Sequence, residues 1–289
     1  MEDRPWLKFY DEGVPQHLEY PEIPLFGLLE ASARKYPENP CTIFKGAVIS
    51  YREMNELTDR LAAGLASLGI KKGDRVGLMM LNLPQFVISF FGIIKAGAIA
   101  VAINPLYSAR EVIHQVNDAG IEVMIVLSNY YNLVKQAQPD TKIKKIIVSN
   151  LKEYLPPITA LLFTLAKEKK GGFRVELSEG DIWFKDLIYA HKPEERPELF
   201  IGPDDDAIYQ YSGGTTGISK GAIGLHRNLV ANAMQVRCWT TNAVDGEEVV
   251  LMAIPLFHVY GLVAGMIVYS SKSDQYQDNT KVFSSFGKR

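Results

Sequence analysis

Two cysteines, Cys41 and Cys238, are all that the 289-residue chain contains. They are too few for a disulfide framework and are not spaced as a metal site, so a reducing, cytoplasmic setting is expected. Long apolar runs are missing as well: nothing approaches the roughly 20 consecutive apolar residues that a membrane-spanning helix requires. The N-terminus, Met1-Glu2-Asp3-Arg4-Pro5-Trp6, lacks the basic-then-apolar order of a secretion signal. Charge of one sign is not in surplus either, with 31 Lys and Arg against 33 Asp and Glu. A net charge of −2 lacks the basic excess typical of nucleic-acid binders, and no nucleic-acid partner is expected. No fixed-period repeat occurs.

What is present is an ordinary globular composition, 47% hydrophobic and 22% charged, in a chain long enough for one large α/β unit or two smaller ones. Ser50 with Glu53 forms a capping box, after which Met54, Leu57, Leu61, Leu65 and Leu68 recur at helical spacing until Gly69. Arg75–Leu81 reads as a buried strand, Pro84–Lys95 as a very apolar helix, and Ala98–Ile103 as another strand. Ser108 and Glu111 repeat the capping box before a helix ending near Gly120, and Glu122–Leu127 and Lys145–Ser149 read as two further strands. Continuous apolar strands alternating with helices predict an α/β fold of mostly parallel sheets with helices on both faces.

Between residues 151 and 203 the rhythm loosens, with Pro156-Pro157, Gly171-Gly172, Pro193 and Pro197 as punctuation. Ile158, Leu161, Leu162 and Leu165 share one helical face, followed by Lys167, Lys169 and Lys170. A short helix packed on the protein's own sheet is the expectation. Peripheral membrane contact through residues 158–170 is the alternative. Asp204-Asp205-Asp206 reads as a solvated turn, since three adjacent carboxylates cannot aim at one ion. His17, His114 and His191 have no partner visible in the sequence and read as surface residues.

The stretch of highest information is residues 211–221, Tyr-Ser-Gly-Gly-Thr-Thr-Gly-Ile-Ser-Lys-Gly. Glycines present bare N–H groups, Ser212, Thr215 and Thr216 add hydroxyl donors, and Lys220 adds a cation, a set that suits phosphate oxygens. Feeding from the apolar run 207–211 into a following helix, the loop would also place a helix N-terminus against the anion. It is not a Walker loop, because Lys220 follows Ser219 and precedes Gly221. A nucleophile elbow is excluded too, because position 210 is Gln where that motif needs Gly.

This loop resembles the signature of the adenylate-forming superfamily, which includes acyl-CoA synthetases, luciferases and the adenylation domains of peptide synthetases. The family form is Ser/Thr-Gly/Ser-Gly-Thr-Thr-Gly-x-Pro-Lys-Gly, and the chain departs from it at Ser219. His226-Arg227-Asn228-Leu229 resembles the family's next helix start, and Pro255-Leu256-Phe257-His258-Val259-Tyr260-Gly261 its following motif. Ser50-Tyr51-Arg52-Glu53 and Gly73-Asp74-Arg75-Val76 are similar to its N-terminal region, so that the resemblance covers about residues 20–268.

The resemblance implies an acid–thiol ligase: a carboxylate attacks the α-phosphate of ATP, and the thiol of coenzyme A then displaces AMP. It implies that Ser212, Gly213, Gly214, Thr215, Thr216, Gly217 and Lys220 hold the ATP phosphates, with Lys220 assisting. It places His258, Tyr260 and Gly261 beside the acyl substrate, with His258 assisting, and makes Thr216 a weak ligand for magnesium (Mg2+). His226 is assigned no catalytic role. Serine in place of proline at 219 leaves φ unrestricted, and a looser loop is expected.

The implied organisation is a partial N-terminal AMP-binding domain. It comprises a first α/β region over about residues 20–150, an insertion over 151–203, the phosphate-loop and acyl-pocket region over 204–269, and a polar tail over 270–289. The family's later motifs and its C-terminal domain are not found, so weak or absent activity of the chain alone is expected, and an uncovered apolar face would favour a homodimer. A fatty acid is the expected substrate. A non-catalytic nucleotide- or acyl-binding module and an amino-acid adenylation domain are the alternatives.

Overall fold

The structure, a computed structural model, describes residues 4–212, 219–244, 246–267 and 284–285. Helix α1 (Phe26–Lys35) precedes a hairpin of β1 (Pro40–Phe44) and β2 (Ala47–Ser50). Its two-residue turn, Lys45-Gly46, has φ of +49° and +87°, the left-handed pair that a primed hairpin turn needs. Helix α2 (Tyr51–Ser67) then starts where the sequence places it. The Glu53 N–H donates to the Ser50 hydroxyl at 3.2 Å, and the Ser50 N–H donates to the Glu53 carboxylate at 2.8 Å.

There follow β3 (Arg75–Met79), α3 (Pro84–Lys95), β4 (Ile99–Ala102), α4 (Ala109–Ala119), β5 (Val123–Leu127), α5 (Tyr131–Ala137) and β6 (Lys145–Ser149). The chain continues through α6 (Pro157–Phe163), β7 (Ile182–Trp183), α7 (Phe184–Tyr189), β8 (Asp206–Ser212), β9 (Lys220–Leu225) and α8 (His226–Cys238). A two-residue strand, β10 (Ser284–Ser285), runs parallel to β1.

Seven strands form one sheet in the order β7-β6-β5-β3-β4-β8-β9, parallel throughout except for the antiparallel β8–β9 pair. Successive residues of β5 show how the layers divide: Ile125 and Leu127 face a core shared with α1, α2, α3 and α8, whereas Met124 and Val126 face one shared with α4 and α5. Both faces are covered, as a parallel sheet requires, and the expected α/β fold is the observed one.

Every residue of α3 is buried. Phe86, Phe90 and Phe91 each contribute roughly 1.5–3 kcal/mol on that account. The same helix ends by burying a charge. Lys95 has no exposed surface, and its ammonium donates to Asp59 Oδ1 at 2.8 Å and Asn55 Oδ1 at 2.9 Å. Burial pushes the Lys95 pKa down, and the carboxylates of Asp59 and Glu30 oppose that shift. Arg196 joins from the segment that leads to β8, donating to Glu30 at 2.6 Å and Asp59 at 2.9 Å while lying over the Phe26 ring at 4.7 Å.

One expectation is overturned here. The apolar face of α6 does not pack on the sheet: Ile158, Leu161, Leu162 and Leu165 are 75%, 59%, 60% and 76% exposed. The side chains that pack inward are others of this segment, which runs on from α6 into a π-helical turn over Thr164–Glu168. Phe163 meets Phe173 edge-on at 5.3 Å. Buried Glu168 accepts from Asn150 Nδ2 at 3.0 Å and pairs with Lys152 at 2.7 Å. Among the described residues, no helix is long and apolar enough to cross a membrane.

Removing one partner of a buried ion pair strands the other without compensation. Asp59→Ala should therefore lower the unfolding free energy by about 3–5 kcal/mol, read from the midpoint and slope of urea denaturation; an unchanged midpoint would show that the Lys95 network does not hold the helices.

Candidate functional site

Strands β3, β4 and β8 are neighbours and parallel, so their carboxyl ends share one edge of the sheet, where open α/β folds place ligands. The phosphate-loop candidates begin at that edge. Ser212 pairs with Lys220 and Tyr211 with Gly221 across the β8–β9 ladder, so the described part of this antiparallel pair ends in a neck at Ser212 and Lys220. Gly213, Gly214, Thr215, Thr216 and Gly217 lie outside the described residues. Ser212 and Lys220 are both exposed at the neck, and Lys220 has no carboxylate partner among the described residues.

This arrangement corrects the expected strand–loop–helix. Residues 220–225 pair with β8 as a strand, and α8 starts only after the chain has returned to the far edge. There the His226 N–H donates to the Asp205 carbonyl at 3.1 Å and the Arg227 N–H to the Pro203 carbonyl at 2.9 Å. The departure at Ser219 acquires a use: its hydroxyl donates to the Ser212 carbonyl at 2.8 Å, a tie across the neck that proline could not make. It offsets, at that point, the slack expected from the loss of proline.

The strand leading to the loop is anchored from both sides. Tyr211 donates its phenolic hydrogen to Asp118 on α4 at 2.5 Å, and within the strand Tyr209 donates to Asp206 at 3.0 Å. Burial, then the bond to Asp118, holds the Tyr211 phenol well above its usual pKa, so it stays a neutral donor. Gln210 Nε2 reaches across to the Phe257 carbonyl at 3.2 Å, which brings the 255–261 block alongside β8. Within that block His258 Nδ1 accepts from the Tyr260 N–H at 3.2 Å, and both side chains are exposed. Gly261 is buried, and a Cβ there would fall 2.2 Å from the Pro255 carbonyl oxygen, so only glycine lets this turn close.

The remaining candidates lie elsewhere. His226 sits in the core, 1% exposed. Its Nδ1 accepts from the Leu25 N–H at 2.9 Å, and burial pushes its pKa down to about 4. His191 and His114, expected to lack partners, have them. His191 lies 3.0 Å from Glu195 and 3.1 Å from the Ser67 hydroxyl, and His114 lies 3.3 Å from the Ser219 carbonyl. The three aspartates diverge: Asp204 pairs with Arg227, Asp205 with Lys72, and Asp206 accepts from Tyr209. Among the described residues no group of three His, Cys, Asp or Glu side chains could hold a metal ion. Thr216, the expected magnesium ligand, lies outside the described residues.

A family model described as AMP-binding enzyme matches residues 29–272. The chain belongs to the AMP-binding enzyme family. It is 35% identical over 266 residues to a long-chain-fatty-acid–CoA ligase of Bacillus subtilis (strain 168), and 33% identical over 270 residues to one of Escherichia coli O157:H7. These alignments take in 91% of this chain but 47% and 48% of the relatives, so the chain spans about half the length of the curated relatives it matches. A long-chain-fatty-acid-CoA ligase from Archaeoglobus fulgidus superposes with a TM-score of 0.73 at 23% identity, over 96% of this chain and 49% of that one. The anthranilate CoA ligase AuaEII, solved in complex with anthranoyl-AMP, gives 0.72 at 22% identity, over 92% of this chain and 45% of that one. At such identities the structural likeness is one of fold.

One positioning residue carries no local signature in the sequence. Asn82, just beyond β3, donates from Nδ2 to the carbonyls of Met252 at 3.2 Å and Ile254 at 2.9 Å, and its Oδ1 accepts from the Leu256 N–H at 2.8 Å. The available signal was a polar residue between an apolar strand and the Pro84 that opens α3. Its partners are some 170 positions along the chain, where no local pattern points.

Asn82→Ala and Gly261→Ala should each release the 252–261 segment, giving faster amide exchange there than in β3 or β5. Equal protection in variant and wild type would remove both residues from the positioning role. For His226 the sign is fixed by a folded pKa of about 4 below the unfolded 6.5. Between these values the unfolded chain binds the extra proton, so stability falls as pH drops through that window. The loss between pH 7 and 4 should be about 3 kcal/mol smaller in His226→Gln than in wild type, measured by urea denaturation.

Proposed function

We propose that this chain carries the ATP-phosphate grip and the acyl-facing wall of an ATP-dependent carboxylate–CoA ligase whose acid is a fatty acid. The observation that supports this best is the shared edge. The neck at Ser212 and exposed Lys220 ends the strand that Gln210 links to the 255–261 block, and Asn82 holds that block in place.

In this reading the substrate carboxylate oxygen attacks the α-phosphorus of ATP. The bond to the pyrophosphate oxygen breaks, leaving acyl-adenylate and pyrophosphate. The thiol of coenzyme A then attacks the acyl carbon, loses its proton and expels AMP. Lys220 meets negative charge on the phosphate oxygens as pyrophosphate separates, with Ser212 and the residues from Gly213 to Gly217 supplying hydroxyl and N–H donors. His258 and Tyr260 flank the acyl carboxylate, and Gly261 lets their turn close. No step is assigned to magnesium. The fatty-acid assignment rests on the names of the 35% and 33% identical relatives.

Calorimetric titration with ATP should show one site. Lys220→Ala should weaken it about tenfold or more, the worth of a charge-assisted hydrogen bond, and Ser219→Ala, which removes only the neck tie, by a few-fold. ATP–pyrophosphate exchange with a long-chain fatty acid, and not with amino acids, supports the ligase. Binding without exchange identifies a nucleotide-binding module instead, and exchange driven by an amino acid identifies an amino-acid adenylation domain.

A further inference from the structure

The segment between β6 and β7 has no part in the nucleotide edge. Ile158, Leu161, Leu162 and Leu165 follow i, i+3, i+4, i+7 spacing and stand in solvent as one aliphatic stripe. Contiguous exposed apolar surface of this kind marks an interaction site. Behind the stripe a cleft of about 670 Å³ opens toward the core, lined by Leu151, Leu155, Leu162, Phe163 and Phe173. Its volume lies within the range of small-molecule and acyl-chain pockets.

Charge decides what the cleft and stripe face. Lys45, held in the left-handed turn of the β1–β2 hairpin, lines the cleft with Lys167 and Lys170. None of the three pairs with a carboxylate among the described residues, and Lys169 adds a fourth cation to the same stretch. The sole acid between residues 157 and 171, Glu168, is buried and already paired with Lys152. The outward face is thus aliphatic with a cationic border. It lacks the aromatic and arginine anchors typical of protein interfaces. Lysines on flexible stems beside an aliphatic stripe fit a surface of anionic headgroups over hydrocarbon.

We propose that residues 157–171, with Lys45, form a docking element for an anionic lipid bilayer. The aliphatic stripe enters the interface, one lipid acyl chain occupies the cleft, and Lys45, Lys167 and Lys170 meet the headgroup phosphates. This deepens the fatty-acid reading by naming the phase that would hold an apolar acid. Its test measures lipid binding alone, so failure here leaves the ligase reading standing.

The experiment is co-sedimentation of the chain with phosphatidylcholine vesicles, with and without phosphatidylglycerol. Binding should require phosphatidylglycerol and weaken as salt rises. Leu161→Asp with Leu165→Asp should lower the partition coefficient on the order of tenfold or more, and Lys167→Glu with Lys170→Glu by about fivefold or more per lysine. All four positions are outward-facing, so the circular dichroism spectrum and thermal midpoint should not move. A tryptophan at the cleft, Leu162→Trp, should be quenched by lipids brominated on the acyl chain. The proposal is overturned if the wild-type chain stays in the supernatant with phosphatidylglycerol present. It is equally overturned if the leucine or lysine variants bind as wild type does, or if Leu162→Trp is not quenched while the protein is bound.

Discussion

The ammonium of Lys95 is the point on which the architecture turns. A lysine without solvent exposure is costly unless oxygen ligands surround it, and here they come from α2 through Asp59 and Asn55, with Glu30 of α1 behind them. Arg196 closes the circuit from a segment more than a hundred residues away in sequence, and so fixes the path by which the chain reaches Ile201, Asp205 and finally β8. Three helices and the segment leading to β8 are thereby registered against each other by polar contacts whose geometry admits little slack. Apolar contacts alone would tolerate sliding by part of a residue; a buried charge with named partners does not.

From that frame the site is assembled at the sheet's carboxyl edge by contacts of a different kind. Asn82 and Gln210 are neutral amides, each bridging to carbonyls of the 252–257 stretch, and they hold backbone rather than side chains. That leaves His258 and Tyr260 turned outward on a fixed support. The hairpin neck is organised likewise, with Ser219 tied to the Ser212 carbonyl while Lys220 remains outward. Rigid backbone with unengaged side chains is what a site needs if its donors are to meet a ligand rather than each other.

Much of this was legible in the sequence, and the remainder was hidden for definable reasons. Two capping boxes, Ser50 with Glu53 and Ser108 with Glu111, act within four residues, so the pattern marks the helix starts directly. Helix α3 shows the limits Pro84 and Lys95 because proline opens a helix and the apolar run ends at the lysine. Strand β9 was not visible, since Lys-Gly-Ala-Ile-Gly-Leu is poor in β-formers and becomes a strand by pairing with β8. The stripe on α6 illustrates another limit. Periodicity states that four side chains share a face, but not whether that face meets the sheet or the solvent. Asn82 was beyond reach because a single amide in a loop has no pattern until its distant partners are known.

The antiparallel course of β9 has a wider consequence. By carrying the chain back across the sheet, it delivers the start of α8 to the opposite edge, where the partial positive charge of the helix faces the Asp204–Asp206 turn. That turn is thus an anionic cap on a helix, and the dipole that many phosphate loops draw on lies at the other end of β9 from the Ser212–Lys220 neck. Under the proposed function, exposed Lys220 would meet a polyphosphate without that helix dipole behind it. An attraction resting on an exposed ammonium is screened over a Debye length of about 10 Å at 0.1 M salt, so under the proposed function nucleotide occupancy would fall as ionic strength rises.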